Sequence, residues 1–268
     1  MEVFEFTSGS TPLLVSMPHS GTQVPDDIGQ RFTREAQALP DTDWHIPRLY
    51  DFLQDLGASV VKARHSRYVI DLNRAPDGLP LYPGANNTEL CPTSTFDDQP
   101  IYLTGQEPMR GEIEERREAY WLPYHEALAG ELARLKAEHG IALLWDAHSI
   151  RSQVPRFFDG NLPDLNIGSA DGQAAGESLT DILGAVARDA GHLGVTHVVD
   201  GRFKGGYITR HYGAPDKAIH AIQLELSQST YMNEDPPYAF REDLAEKIRP
   251  VIAGLIQTML AWAELEVD

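Results

Sequence analysis

A single cysteine in 268 residues, Cys91, leaves no partner for an internal disulfide and no basis for a cysteine-ligated metal cluster. That scarcity fits a reducing compartment, and Cys91 reads as a structural or incidental residue. Positive charge is scarce too: 22 Lys and Arg stand against 40 Asp and Glu, a formal net charge of -18. Such a field repels phosphate backbones and argues against a nucleic-acid binder, whereas a small anionic ligand responds only to local charge. No run nears the roughly 18 consecutive apolar residues of a membrane span. The opening MEVFEFTSGSTP lacks the basic-then-apolar build of a secretion signal. These absences predict a soluble, cytoplasmic protein that engages neither membrane nor nucleic acid.

Several catalytic signatures are missing as well. Without a G-x-S-x-G elbow, a P-loop or a G-x-G-x-x-G turn, serine-hydrolase, NTPase and dinucleotide readings have no anchor. His125-Glu126 opens like a zincin helix, but Ala129 stands where the second histidine belongs. Internal repeats, low-complexity tracts and a convincing linker are also absent, so residues 1–268 are expected to form a single domain.

What is present is an alternation of strand-like and helix-like segments, the pattern of an α/β fold with a helix-covered central sheet. Leu13 to Val15 reads as a buried strand. Ile46, Leu49, Tyr50, Leu53 and Leu56 recur at helical spacing, with Gly57 closing that helix. Ala58 to Ala63 and Tyr68 to Asp71 read as strands, followed by a long loop from about Arg74 to Met109. Arg110 to His139 predicts the longest helix, kinked or restarted at Pro123. Its run of Glu112, Glu114, Glu115, Arg116, Arg117 and Glu118 is read as a solvated face. Ile141 to Trp145 predicts a buried strand that delivers Asp146 and His148 at its end, and Ala218 to Leu226 a strand ending in Glu225. Helices are expected over Ala174 to Ala190 and Phe240 to Glu264.

In open α/β sheets, catalytic groups gather outside the carboxyl ends of strands, where loops converge on one crevice. That rule selects His19, in a tight Pro18-His19-Ser20-Gly21 turn, together with His148 and Glu225. The Asp41-Thr42-Asp43-Trp44-His45 loop adds two carboxylates and an imidazole. Two histidines and one carboxylate, with a position left for water, make a catalytic metal set. Taken singly, each histidine is more often a hydrogen-bonded turn residue than a metal ligand, and Asp43 could serve as a helix N-cap. Asp41, Asp43 and His45 are all candidates for the third ligand.

The segment SRYVIDLNR, Ser66 to Arg74, resembles the part of aspartoacylases and zinc carboxypeptidase-like enzymes where Asn and Arg hold the substrate carboxylate. Read with VSMPHSGTQVP, DTDWH, LWDAHSIRSQVPRFFDG, GGYITRHYG and LELSQSTYM, the chain resembles the N-formylglutamate amidohydrolase family over almost its whole length. One departure from the carboxypeptidase-like pattern is Thr22, which occupies the position of the ligating carboxylate in a His-x-x-Glu segment. The resemblance implies a three-layer αβα fold with a mixed central sheet, of the phosphorylase/hydrolase-like, zinc carboxypeptidase-like kind. It also implies one divalent ion, Zn²⁺ first and Co²⁺, Fe²⁺ or Mn²⁺ as alternatives, held by His19, Asp43 and His148. Glu225 is expected as general base and Arg67 as the oxyanion partner. Asn73 and Arg74 are expected on one substrate carboxylate and Arg210 on the other, with Arg156, Arg202 and Tyr212 as further candidates for the pocket. The expected partner is a small anionic amino-acid derivative, the expected reaction hydrolysis of N-formyl-L-glutamate. A related N-acyl amino-acid deacylase or carboxypeptidase, or a non-catalytic binding protein, are the competing readings.

Overall fold

Side chains leave a strand on alternate faces, so a strand buried on both sides is apolar at every position. Leu13, Leu14 and Val15 meet that condition and are fully buried. The computed structural model describes residues 2–80 and 86–267. In it, β1 (Phe4–Thr7), β2 (Leu13–Met17), β3 (Ser59–Ala63), β4 (Ala142–Ile150), β5 (Leu165–Gly168), β6 (His197–Val199) and β7 (Ile219–Ser227) form one sheet. The strand order is β1-β3-β2-β4-β7-β5-β6. The sheet is mixed: β3, β2, β4 and β7 run parallel, β1 pairs antiparallel with β3, and β5 antiparallel with β7.

The helices are α1 (Asp26–Gly29), α2 (Ile46–Leu49), α3 (Arg110–Arg116), α4 (Leu122–His139), α5 (Glu177–Asp189), α6 (Tyr207–Tyr212) and α7 (Glu242–Val267). Leu13, Val15, Leu143, Trp145, Ile222 and Leu224 face α2, α5 and α7. Leu14, Ala142, Leu144 and Ala221 face α4 and α6. Each fully buried Leu or Ile contributes roughly 1.5–3 kcal/mol relative to exposure. The result is the α/β, three-layer αβα architecture with a mixed central sheet, consistent with the zinc carboxypeptidase-like kind. α7 is long and apolar enough by composition to cross a membrane, but Ile248, Ile252, Leu255, Ile256 and Met259 of this helix lie in the core.

Several elements differ from expectation. The 46–56 segment is not one helix: α2 ends at Leu49 and a 3₁₀ turn, Asp51–Gln54, follows, while Gly57 closes the segment at φ +63°. Its helically spaced apolar residues are still buried, because a short tight turn presents the same side. Residues 68–71 form no strand. A short apolar run signals burial without specifying a ladder, and here Asp71 N–H donates to Leu90 O across irregular backbone. The expected loop from 74 to 109 contains no helix or strand among its described residues; positions 81–85 lie outside those described. The long helix is interrupted ahead of Pro123, by a π-turn over Arg117–Trp121, and the proline sits harmlessly in the first turn of α4. β4 runs past its predicted end, so His148 lies within the strand rather than after it, whereas Glu225 lies within β7 as expected. The short β1, β5, β6 and α6 were not anticipated. Three or four residues carry too little periodicity to register.

Candidate active site

At the carboxyl ends of β4 and β7 the face that elsewhere carries Leu144 and Ala221 changes character. Asp146 and His148 follow Leu144 at two-residue steps, and Gln223 and Glu225 follow Ala221, so all four share one face. His148 and Glu225 are register partners across the β4–β7 ladder. The tight turn after β2 brings His19 beside them, with Gly21 packed so closely on the backbone that a Cβ there would lie 2.4 Å from His65 O. The 41–45 loop is tied on by Asp43 N–H donating to His19 O at 3.1 Å.

His19, Asp43 and His148 consequently converge: one ligand atom from each lies within 4.8 Å of the others, and all three side chains are buried. The nitrogens facing Asp43 Oδ2 are His148 Nδ1 at 3.1 Å and His19 Nδ1 at 3.8 Å. The opposite nitrogens are held by carboxylates, His19 Nε2 by Asp71 at 2.7 Å and His148 Nε2 by Asp146 at 3.0 Å. Two imidazoles and a carboxylate, each imidazole oriented by an outer carboxylate, form a donor set that fits a divalent ion. Asp41 and His45 are engaged elsewhere. Asp41 accepts from Tyr68 Oη at 2.6 Å and Phe96 N–H at 2.9 Å, and His45 Nε2 faces Tyr238 O at 2.6 Å.

Burial and neighbouring charges shift the titration of these groups in opposite directions. Burial disfavours a charged His148, yet Asp146 and then Asp43 outweigh burial and hold its imidazole well above the usual range. Burial, reinforced by Arg67, lowers His19. Asp71 is buried too, but His19 and Arg67 keep its carboxyl well below the usual carboxylate range. Arg67 Nη2 donates to Asp71 Oδ2 at 2.6 Å, and its guanidinium lies 4.8 Å from the Phe96 ring centre. For Glu225 burial dominates and pushes the carboxyl up to about 8.

These groups open onto a small cavity, ≈ 70 Å³, lined by His19, Arg67, Asn73, Arg74, His148 and Glu225 on the polar side and by Phe96, Phe157 and Phe203 on the apolar side. Asn73 works within the protein: its Oδ1 accepts Ile208 N–H at 2.8 Å, and its Nδ2 lies 3.0 Å from His148 Nε2. Arg74 Nη2 and Nε donate to Thr88 Oγ1 and O. Arg210, in contrast, is exposed on α6 with its Nε on Gly205 O, outside the lining. Arg156, Arg202 and Tyr212 also fall outside it. A larger groove, ≈ 210 Å³, beside β3 carries Asp51 and Lys62 but no comparable cluster.

The sequence reading did not single out Asp71 and Asp146 as partners of the histidines, nor the phenylalanine wall. Asp146 was recoverable, since it precedes His148 by two residues on a strand and must share its face. Asp71 lies in an irregular segment, where no periodicity places it.

A family model described as N-formylglutamate amidohydrolase matches residues 11–232. A protein named N-formylglutamate deformylase from Pseudomonas aeruginosa is 53% identical over 261 residues, 97% of each chain. Its namesake from Pseudomonas putida is 52% identical over the same extent. Among solved structures, an N-formylglutamate amidohydrolase from Ralstonia eutropha superposes with a TM-score of 0.80 at 24% identity, covering 99% of this chain and 98% of that one. A gene product of Agrobacterium tumefaciens gives 0.73 at 18% identity, over 98% and 97%.

Proposed function

This chain belongs to the N-formylglutamate amidohydrolase family, and from that premise we propose that it is a metal-dependent deformylase cleaving N-formyl-L-glutamate to formate and L-glutamate, the last step of a histidine degradation route. The observation that carries the reading is the buried His19–Asp43–His148 group, opening onto a cavity that Glu225, Arg67 and Arg74 also line. Two imidazoles and one carboxylate suit Zn²⁺ first, with Co²⁺, Fe²⁺ and Mn²⁺ able to use the same donors. When bound there, such an ion supplies Lewis acidity that polarises the formyl carbonyl and acidifies a water molecule.

The chain's own residues supply the rest. No described residue hydrogen-bonds the Glu225 carboxylate, and burial, which raises its pKa to about 8, gives its ionised form a stronger affinity for a proton than an ordinary carboxylate has. Glu225 takes a proton from the water that attacks the formyl carbon, then passes it to the glutamate nitrogen as the C–N bond breaks. Arg67, fixed by Asp71 and stacked on Phe96, holds positive charge beside the oxygen that becomes anionic. Arg74 pairs with a substrate carboxylate, and Asn73 keeps His148 and the start of α6 in place. With two arginines on its wall, the cavity suits a small anionic amino-acid derivative.

The test is formate release from N-formyl-L-glutamate beside N-acetyl-L-glutamate and N-formyl-L-aspartate, with and without chelator. The expected result is chelator-sensitive hydrolysis that favours N-formyl-L-glutamate. Glu225→Gln should lower kcat by about 10²–10⁴-fold while still binding metal. Full hydrolysis by that variant would overturn the assigned base, and no formate from any substrate would overturn the activity.

A further inference from the structure

Segment 69–74 carries Asp71, Asn73 and Arg74, yet it belongs to no strand or helix, so its buried carbonyls need partners from elsewhere. Three of them are met by side chains of one interrupted helix. Arg116 Nη1 donates to Val69 O at 2.9 Å, His125 Nε2 to Leu72 O at 2.8 Å, and Trp121 Nε1 to Arg74 O at 3.0 Å. In an unbroken α-helix, turning about 100° per residue, Arg116 and Trp121 would diverge by about 140°. The π-turn over Arg117–Trp121 inserts an extra residue into that turn and brings positions five apart onto one side.

The donors are themselves fixed. The His125 ring stacks on Trp121 with centroids 3.7 Å apart, and His125 Nδ1 lies 2.9 Å from Tyr212 Oη. A carbonyl only accepts, so Nε2 carries the ring proton, which sets one tautomer; the one Tyr212 hydroxyl proton faces both Nδ1 and the His125 carbonyl oxygen, at 2.9 and 3.0 Å. Burial pushes His125 down to about 3, which keeps the ring neutral.

We propose that the π-turn helix is a positioning frame for the active site, with Trp121 and His125 as positioning residues that set where Asp71, Asn73 and Arg74 stand. The proposal rests on the functional reading above. The two residues act at different points. His125 grips the carbonyl between Asp71, which orients His19, and Asn73, which touches His148, so its effect falls on metal affinity and kcat. Trp121 grips the carbonyl of Arg74 itself, so its effect falls on KM.

The experiment compares Trp121→Phe, which keeps a stacking ring but loses the N–H, with His125→Leu and His125→Gln. Trp121→Phe should raise KM about tenfold with kcat nearly unchanged. His125→Leu should lower kcat about tenfold and weaken Zn²⁺ affinity, measured by chelator competition on the metal-free protein, by about tenfold or more. His125→Gln, whose amide can donate to the same carbonyl, should recover both. If the donor-deleted variants lose thermal stability but keep wild-type KM, kcat and Zn²⁺ affinity, the contacts are core packing and the proposal falls. Should His125→Leu fail to fold, the KM of Trp121→Phe decides. Should the wild type release no formate, the functional reading falls separately. Zn²⁺ affinity, lost in His125→Leu and regained in His125→Gln, then still supports the frame, and unchanged affinity overturns it.

Discussion

Asp71→Asn isolates one carboxylate on which two site residues depend. Asp71 is fully buried; its Oδ1 accepts from His19 Nε2 at 2.7 Å and Asn73 N–H at 2.9 Å, and its Oδ2 accepts from Arg67 Nη2 at 2.6 Å. Asparagine keeps the shape but has one acceptor oxygen. Whichever way it turns, an NH₂ group meets either the imidazole N–H or the guanidinium, donor against donor. Removing one partner of a buried ion pair costs about 3–5 kcal/mol, and the surviving hydrogen bond places this case near the lower end. With an m-value near ~3 kcal/mol/M in urea for a chain of this size, the unfolding midpoint should drop by about 1 M. Loss of the carboxylate behind His19 should also weaken metal affinity by about 10–100-fold. Urea unfolding of the metal-free protein and Zn²⁺ competition against a chelator measure the two effects independently. An Asp71→Asn protein with unchanged midpoint and Zn²⁺ affinity within twofold of wild type would refute the linkage of His19 and Arg67 through this residue.

Gly206→Ala would place a Cβ 2.2 Å from Asn73 Nδ2, so it should push that side chain off His148 and cost about 1–3 kcal/mol of stability, readable by thermal melting; an unchanged Tm and kcat would contradict the close approach. Metal should stabilise the fold: Zn²⁺ at about 100 times its Kd adds roughly 2.7 kcal/mol, or about 5–10 °C in Tm, reversed by chelator. A melting curve insensitive to Zn²⁺ would argue against His19, Asp43 and His148 as a metal site. Away from the site, hydrogen bonding to Arg134, helped by Ser59, lowers Glu131 below its ordinary 4.5. A depressed folded-state pKa means this contribution is complete above the ordinary value and is lost as pH falls through the lower one. Arg134 is more than a third exposed, which limits the effect to under about 1 kcal/mol. The stability gap between wild type and Glu131→Gln should therefore be larger at pH 7 than near pH 3; a gap that widens on acidification would reverse the assignment.

What the sequence determined by itself was whatever follows from local pattern. Fully apolar runs such as Leu13 to Val15 and Ile141 to Trp145 must be buried on both faces, and their alternation with helical spacing makes the chain α/β. Two-residue steps along a strand put Asp146 beside His148 without reference to any other element. His19, Asp43, His148, Arg67, Asn73, Arg74 and Glu225 were all nameable from motif and strand-end position; the fold brings all but Asp43 to the wall of one cavity and sets Asp43 against His19 and His148. Only the tertiary structure decided which of three neighbouring groups in the 41–45 loop faces the histidines. Asp41 and His45 are taken by Tyr68 and Tyr238, partners 27 and 193 residues away in sequence. It also decided that Arg210 stands outside the cavity wall, because six residues of α6 do not reveal which side faces it. The 68–74 segment shows the same division. Tyr68 to Asp71 read as a strand because apolarity reports burial, but burial alone does not choose a hydrogen-bonding partner. Helix side chains from Arg116, Trp121 and His125 took the role a neighbouring strand would have filled, and that pairing exists only once the chain has folded.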